Sequence, residues 1–329
     1  MIQTTKMHIS EDNKDGLDIQ VLYNLCYHSA RLYNVGLYSV RQYYFANKQY
    51  LSFFSNCKEC RSNENYKLLM SDASNSIIKL VDKSMKSFFG LLSLKSKGLY
   101  DKSIRLPHYK GKNDVSAMPI NGRSCRIQKD GSVNIGLTKE FRELYNVSSK
   151  KITITIPKNL KGIPKFEEMR IIPLYGGREF EIEFIYDTKY LDVPQISETA
   201  SGCLSIDLGV NNLMSCTVHS NGKPDAFMID GRCIKNVNYY YNKKASELRS
   251  AYSKNKSITT VNTKRFRRLS NGRNHRINDD FNRSVKYVVD YCMSNGIKTV
   301  FVGHNANQKK NAEMGKVNNQ NFVSIPYYK

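Results

Sequence analysis

No stretch of this chain approaches the ~18 consecutive apolar residues that a membrane-spanning helix needs. Its opening, MIQTTKMHIS, lacks the apolar core of a secretory signal. A membrane partner is therefore not expected. Acidic residues are also scarce: 29 Asp and Glu stand against 51 Lys and Arg, a formal net charge of +22 over 329 residues. An imbalance of that size is the electrostatic footprint of a protein that holds a polyanion, and with lipid set aside the expected partner is nucleic acid. A genome rich in A and T raises Lys, Asn, Tyr and Ile together, but does not favour lysine over aspartate by this margin. Metal ligands are sparse as well. The eight cysteines are scattered, and only Cys57 and Cys60, in CKEC, have ligand spacing. A structural zinc site takes four ligands, and neither a second CxxC nor an HxxxH occurs. The expectation is free thiols in a reducing, intracellular setting and no metal site.

A chain this long accommodates two or three domains, and its texture changes along its length. After a strand-like opening from Gln3 to Ile9, residues 17–46 carry Leu22, Cys26, Ala30, Tyr33, Leu37, Val40 and Tyr44 at intervals of three and four, the period of a helix with one apolar face. A second such stretch covers 66–95, with Leu68, Ile77, Val81, Met85, Phe88 and Leu92, and stops before Lys97-Gly98. From about residue 101 the sequence becomes a basic loop, RLPHYKGKND, followed by short alternating runs punctuated by Lys129-Asp130-Gly131 and Tyr175-Gly176-Gly177. Short strands with turn signals at this spacing predict a small β-barrel or sandwich. A Pro- and Ser-containing linker occupies 189–201.

The last segment opens on LSIDLGVNNL, residues 204–213. Alternation puts Leu204, Ile206 and Leu208 on one face of a strand and Asp207 on the other, among the small residues Cys203, Ser205 and Gly209. Such surroundings leave room for a metal ion or a phosphate, or else for a carboxylate satisfied by nearby backbone or a lysine. Two further strands follow through the turn Asn221-Gly222, then a long basic helical region over about 233–294, closing on Ile277, Phe281, Val285, Val288 and Cys292. Gly296 is placed to cap it, and a fourth strand, TVFVGH, covers 299–304. Three antiparallel strands, a helical crossover and a strand returning beside the first is how an RNase H-like fold begins, and acids on its first strand hold divalent metal for phosphodiester hydrolysis.

SIDLGVNNLMSC, the Arg-rich helix and VFVGHNANQKKNAEMGKVNNQNFVSIP together resemble TnpB, the family of transposon-encoded RNA-guided nucleases related to type V CRISPR effectors. Upstream, SARLYNVGLYSVRQYYF and VDKSMKSFF resemble the family's recognition helices, RLPHYKGK its entry into the wedge barrel, and DGSVNIGL a barrel hairpin. The resemblance spans essentially the whole chain and implies a multidomain α+β fold. Its parts are the first barrel strand in 1–16, a helical recognition domain in 17–100, an oligonucleotide-binding-like wedge β-barrel with linker in 101–199, and a truncated RNase H-like (RuvC) α/β domain in 200–329.

The same resemblance assigns Asp207 as the first catalytic acid. In many relatives a Glu closes the fourth strand, where this chain has Gly303; one branch also has glycine there and supplies its Glu later. This sequence ends at Tyr327-Tyr328-Lys329, ahead of that Glu, of the zinc ribbon and of the third acid, and Glu247, Asp279 and Asp280 match no family acid. Asp207 is thus expected to be vestigial. The implied protein is nuclease-dead and RNA-guided, binds a guide RNA and target double-stranded DNA in the bacterial cytoplasm at the nucleoid, and acts as a transcriptional repressor. The alternative is a truncated or split RNA-guided endonuclease whose site another polypeptide completes, with Mg bound only then. A truncated sheet would expose an edge and an apolar face that RNA or a second protomer could cover.

The nucleic-acid contacts expected are Arg265, Arg267, Arg268, Arg273, Arg276 and Arg283 in the Arg-rich helix, against the alternative of a solvated helix face. Arg105, His108, Tyr109, Lys110 and Lys112 combine charge with a stackable ring, which suits RNA, against the alternative of a plain surface loop. Gln308, Lys309 and Lys310 follow the fourth strand toward the same duplex. Asn75 and Asn121 match family positions that touch the DNA motif flanking the target, and asparagine reads adenine with two hydrogen bonds; both are equally suited to be caps or turn residues.

Overall fold

The computed structural model describes residues 1–10, 17–190, 201–220, 223–253, 262–303 and 324–325. The chain forms two compact units, Met1–Asp192 and Val193–Lys329. Among the described residues no helix is long and apolar enough to cross a membrane.

In the first unit, β1 (Ile2–Ile9) precedes the long helix α1 (Ile19–Asn47), two short helices α2 (Phe53–Cys60) and α3 (Glu64–Lys67), and α4 (Ser71–Ser96). The Asp18 side chain accepts the Gln20 N–H at 2.8 Å at the start of α1, and Lys48, with φ 55°, ends it by donating its N–H to Tyr44 O. The expected stripe is buried in its Leu22, Cys26, Ala30, Leu37 and Val40 positions. The strands are β2 (Met118–Asn121), β3 (Ser132–Gly136), β4 (Lys151–Thr155), β5 (Glu168–Leu174) and β6 (Glu179–Asp187), with α5 (Lys139–Tyr145) between β3 and β4.

These strands do not close into the barrel expected from their spacing. One open antiparallel sheet runs β1-β6-β5-β2, and β3 pairs with β4 in a separate two-stranded ribbon. The reason lies in what covers the sheet. Leu22, Leu25 and Cys26 of α1 share one core with Ile120, Ile171, Phe180, Ile182 and Phe184 of the sheet, and the Cys26 thiol reaches Ile171 O at 3.7 Å. A helix thus buries the face that closure would otherwise bury. β2 stops after four residues, and residues 125–127 contribute only an isolated bridge, Ile127 to Val133. Turn chemistry follows the sequence: Tyr175, Gly176 and Gly177 all lie at positive φ (51°, 71° and 83°) between β5 and β6. A Cβ at Gly177 would also stand 2.5 Å from the Tyr23 ring, so glycine is required there twice over.

The second unit holds β7 (Gly202–Leu208), β8 (Asn212–Ser220), β9 (Lys223–Asp230), the helices α6 (Arg232–Ser253) and α7 (Lys264–Ser294), and β10 (Ile297–Val302). The sheet order is β10-β7-β8-β9: the first three strands form an antiparallel meander, and β10 returns parallel to β7 with Val302 opposite Ile206. Asn221-Gly222 falls outside the described residues. Ile277, Phe281, Val288 and Cys292 of α7 bury against Leu204, Ile206, Cys216 and Val218. Val285, expected in that stripe, is 49% exposed, and Ser284 is buried in its stead, its hydroxyl donating to Asp280 O at 2.8 Å. Asn295 caps α7, and Gly296 follows with φ 63°.

A buried polar cluster ties three helices of the first unit together. His28 of α1 is buried, with Nδ1 2.8 Å from Asn65 Oδ1 of α3 and Nε2 2.6 Å from the Tyr145 hydroxyl of α5. Because the Asn65 amide nitrogen donates to Asn63 Oδ1, its Oδ1 faces His28 and accepts from Nδ1–H, leaving Nε2 to pair with the Tyr145 hydroxyl. Burial first of all lowers the His28 pKa below its ordinary value. The unfolded chain then binds the extra proton more readily, so stability is complete above the unfolded value of about 6.5 and falls as pH drops through it toward the lower folded value. His28→Gln should show a shallower loss of thermal midpoint between pH 7 and pH 5 than the parent protein. Identical slopes would remove His28 as the group responsible.

Candidate nucleic-acid interface

On β7 the apolar residues Leu204 and Ile206 are buried at 0% and 7%, whereas Asp207 on the opposite face is exposed. Asp207 stands across from Ser215 of β8. On its other side the Gly303 N–H donates to Ile206 O at 2.8 Å, continuing the parallel ladder past the end of β10. A Cβ at position 303 would lie 3.7 Å from Asp207 Oδ1, so the backbone puts this position beside the carboxylate and the sequence gives it no side chain. Glu247 pairs with Lys244 at 2.8 Å and Asp279 pairs with Arg283, each within its own helix. Among the described residues no group of three or more His, Cys, Asp or Glu is placed to hold a metal ion. A metal-assisted phosphodiesterase needs several carboxylates around its ions, and the described residues around Asp207 do not supply that set.

The basic loop is built onto α1. Arg31 donates to Lys112 O at 3.0 Å and to Gly111 O, Asn34 exchanges two hydrogen bonds with Lys110 at 2.9 and 2.8 Å, and Arg41 donates to Pro107 O. The Arg41 guanidinium also lies 4.5 Å from the Tyr109 ring centroid, and Lys110 Nζ 5.2 Å from that of Tyr33. The loop's carbonyls are therefore turned toward the helix, and Arg105, His108, Tyr109, Lys110 and Lys112 are all left exposed. Arg31, Asn34 and Arg41 were not singled out from the sequence. Their signal is present there: spacings of three and seven place them along one flank of α1, bordering the apolar stripe.

The arginines of α7 divide by helix face. Arg265, Arg268, Arg276 and Arg283 are exposed along one side. Arg267 is buried at 5% exposure, with Nη1 3.4 Å from Asn262 O, which places it in the interior rather than among surface phosphate contacts. Arg273 is half-buried: Nε donates to Asn238 Oδ1 at 2.7 Å, Nη2 to Ser324 O at 3.0 Å, and the guanidinium lies 5.2 Å from the Tyr241 ring. Burial lowers its pKa, and these contacts give it a structural role within the unit. Asn75 Oδ1 accepts the Tyr66 hydroxyl at 2.9 Å, and Asn121 Oδ1 accepts the Arg123 N–H at 3.0 Å, capping a short 3-10 turn. Asn121 also lines a cavity of about 760 Å³ together with Arg123, Arg126 and Lys165. Gln308, Lys309 and Lys310 lie outside the described residues.

These features define a basic, mixed α+β protein with its cationic side chains displayed on a pinned loop and one helix face. Residues 189–309 match the OrfB_IS605 family, described as "Probable transposase". That segment, which holds β7 to β10, is similar to the transposase family; the rest of the chain lies outside the match. Comparison with curated proteins gives no match. Among solved structures the chain is similar to a Cas12f1–sgRNA–target DNA complex, at 15% identity and a TM-score of 0.53 over 94% of this chain and 68% of that one, so the two share a fold. A CRISPR-Cas12f ternary complex aligns at 16% identity with a TM-score of 0.33, over 89% of this chain and 64% of that one.

The α1 anchors make a prediction of their own. A hydrogen bond from a charged donor contributes about 1.5–3 kcal/mol, so Arg41→Ala should loosen residues 105–112 while leaving α1 folded. Amide hydrogen exchange in that loop should rise about tenfold or more with α1 protection unchanged. Unaltered loop exchange would show that the anchor does not hold it.

Proposed function

We propose that this protein binds a structured guide RNA, is directed by it to double-stranded DNA in the bacterial nucleoid, and occupies that DNA as a transcriptional repressor without cutting it. The family match and the fold shared with a guide-RNA and target-DNA complex support the RNA-guided part. In such systems base pairing reads the sequence, and the protein supplies a positively charged channel and reads a short flanking motif. The net charge of +22, the pinned loop and the exposed arginines of α7 are suited to that channel. The observation that supports the non-cutting part is the glycine at position 303, 3.7 Å from Asp207 at its would-be Cβ, where many members of the resembled family carry a second carboxylate.

The expected outcome is a protein that purifies with RNA: its 260/280 nm absorbance ratio and its mass should both fall on ribonuclease treatment. With guide, matched plasmid and magnesium, the isolated chain should give neither nicked nor linear product. Asp207→Ala should leave target binding within about twofold, because one exposed, screened carboxylate contributes a few tenths of a kcal/mol. Cleavage by the isolated chain that is lost in Asp207→Ala would overturn this function. Asp207-dependent cleavage appearing only on addition of cell extract would favour the endonuclease whose site is completed in trans.

A further inference from the structure

Between α6 and α7 lies a notch of about 190 Å³, lined by Tyr240 and Tyr241 of α6 and by Arg268, Gly272, Arg273 and Arg276 of α7. Its volume is well below the roughly 300–1,000 Å³ of sites that enclose a drug-sized ligand, so it suits one planar group. Gly272 is the odd residue here. It lies two turns inside a 31-residue helix, where glycine is the least favourable residue other than proline. Among the described residues, no side chain and no backbone from outside its own helix turn lies within 4 Å of where its Cβ would stand, and its φ is not positive. Neither crowding by the described residues nor backbone geometry accounts for it, and Gly272 itself lines the notch.

The floor is apolar and aromatic, with Val237 and Leu269 beside the two tyrosines, and the charge comes from three arginines. Arg268 and Arg276 stand one turn before and one turn after Gly272, about 12 Å apart along the helix, and both are exposed. Arg273 is held by Asn238, Ser324 O and the Tyr241 ring, so its positive charge is fixed in place. The Tyr240 side chain is 54% exposed at the rim. Aromatic rings stack on any base, and guanidinium groups take phosphate oxygens in pairs.

We propose that the notch receives one unpaired nucleotide of a bound nucleic acid, with its base against Tyr240 over the gap at Gly272 and the flanking phosphates on Arg268 and Arg276. This rests on the nucleic-acid reading above but adds to it: duplex backbone contact needs only the arginines, whereas the notch selects a flipped or bulged base.

The test uses the full chain, an RNA hairpin carrying one unpaired 2-aminopurine, and a single-stranded DNA of the same sequence. The 2-aminopurine emission should be quenched on binding the parent protein. Tyr240→Ala, and Gly272→Leu, which fills the gap, should restore emission and weaken binding about tenfold, as the loss of one stacked base does. The salt dependence in Tyr240→Ala should be unchanged, because no phosphate contact is lost, whereas Arg268→Ala and Arg276→Ala should each lower its slope by up to about one. Tyr240→Phe should keep the quenching, and Tyr239→Ala, at the neighbouring exposed ring, should match the parent. Circular dichroism confirms that each variant is folded. RNA binding with equal emission and affinity in parent and Tyr240→Ala protein would overturn the notch and leave the RNA-guided reading intact. If RNA does not bind, that reading fails, and the DNA arm decides the notch: Tyr240-dependent quenching upholds it, and none overturns it.

Discussion

The parallel ladder between β10 and β7 is the constraint from which the second unit follows. A parallel pair cannot be joined by a tight turn and requires a crossover, which here is the α6–α7 hairpin. Parallel pairing also requires burial, and Leu204 and Ile206 are covered by Ile277, Phe281 and Val288 of α7. The register of Val302 opposite Ile206 then leaves no freedom about position 303: its N–H meets Ile206 O, and its Cα faces the Asp207 carboxylate. Backbone geometry thus brings position 303 beside Asp207, and the sequence puts a glycine there.

In the first unit the same economy is seen in α1. One face supplies Leu22, Leu25 and Cys26 to the sheet core, and the face away from it holds the basic loop through Arg31, Asn34 and Arg41. His28 adds a third link through Asn65 and Tyr145. The loop's exposed charges are therefore referenced to a helix that is itself fixed in the core, which lets five dispersed side chains present a defined surface despite lying in a connection without strand or helix.

Much of this was legible in the sequence, and what was missed has a consistent cause. Periodicity gave α1, α4 and α7, and alternation gave β5, β6 and β7, because those patterns are local. Strand partners are not local: residues 125–187 announce strands, but nothing in their spacing says that α1 covers the sheet and leaves it open. The phase of a helix is also hard to fix when charge is dense. Arg267 and Arg268 are neighbours in a basic run, yet about 100° of helix rotation puts one at 5% exposure in the interior and the other on the surface. The same ambiguity exchanged Val285 for Ser284. Asn75 and Asn121 read equally as base contacts and as caps, and their side chains are engaged with Tyr66 and with the turn at Arg123.

The two glycines that matter most in the second unit differ in kind, and the difference bears on how binding and cutting separate. Gly303 stands where a side chain would meet Asp207, at the end of a ladder whose register is set by the buried face of α7. Gly272 stands on the exposed side of that helix, between Arg268 and Arg276, with no described residue from outside its own helix turn within 4 Å of its would-be Cβ. One face of α7 thus holds the sheet that carries the strand end, and the other displays the cationic notch. A substitution on the exposed face can change nucleic-acid contacts without moving the sheet, and an acid can be present or absent at 303 without altering the charge that α7 presents. The two faces of α7 are therefore separable: one is committed to the core with the sheet, and the other is open to solvent among exposed arginines.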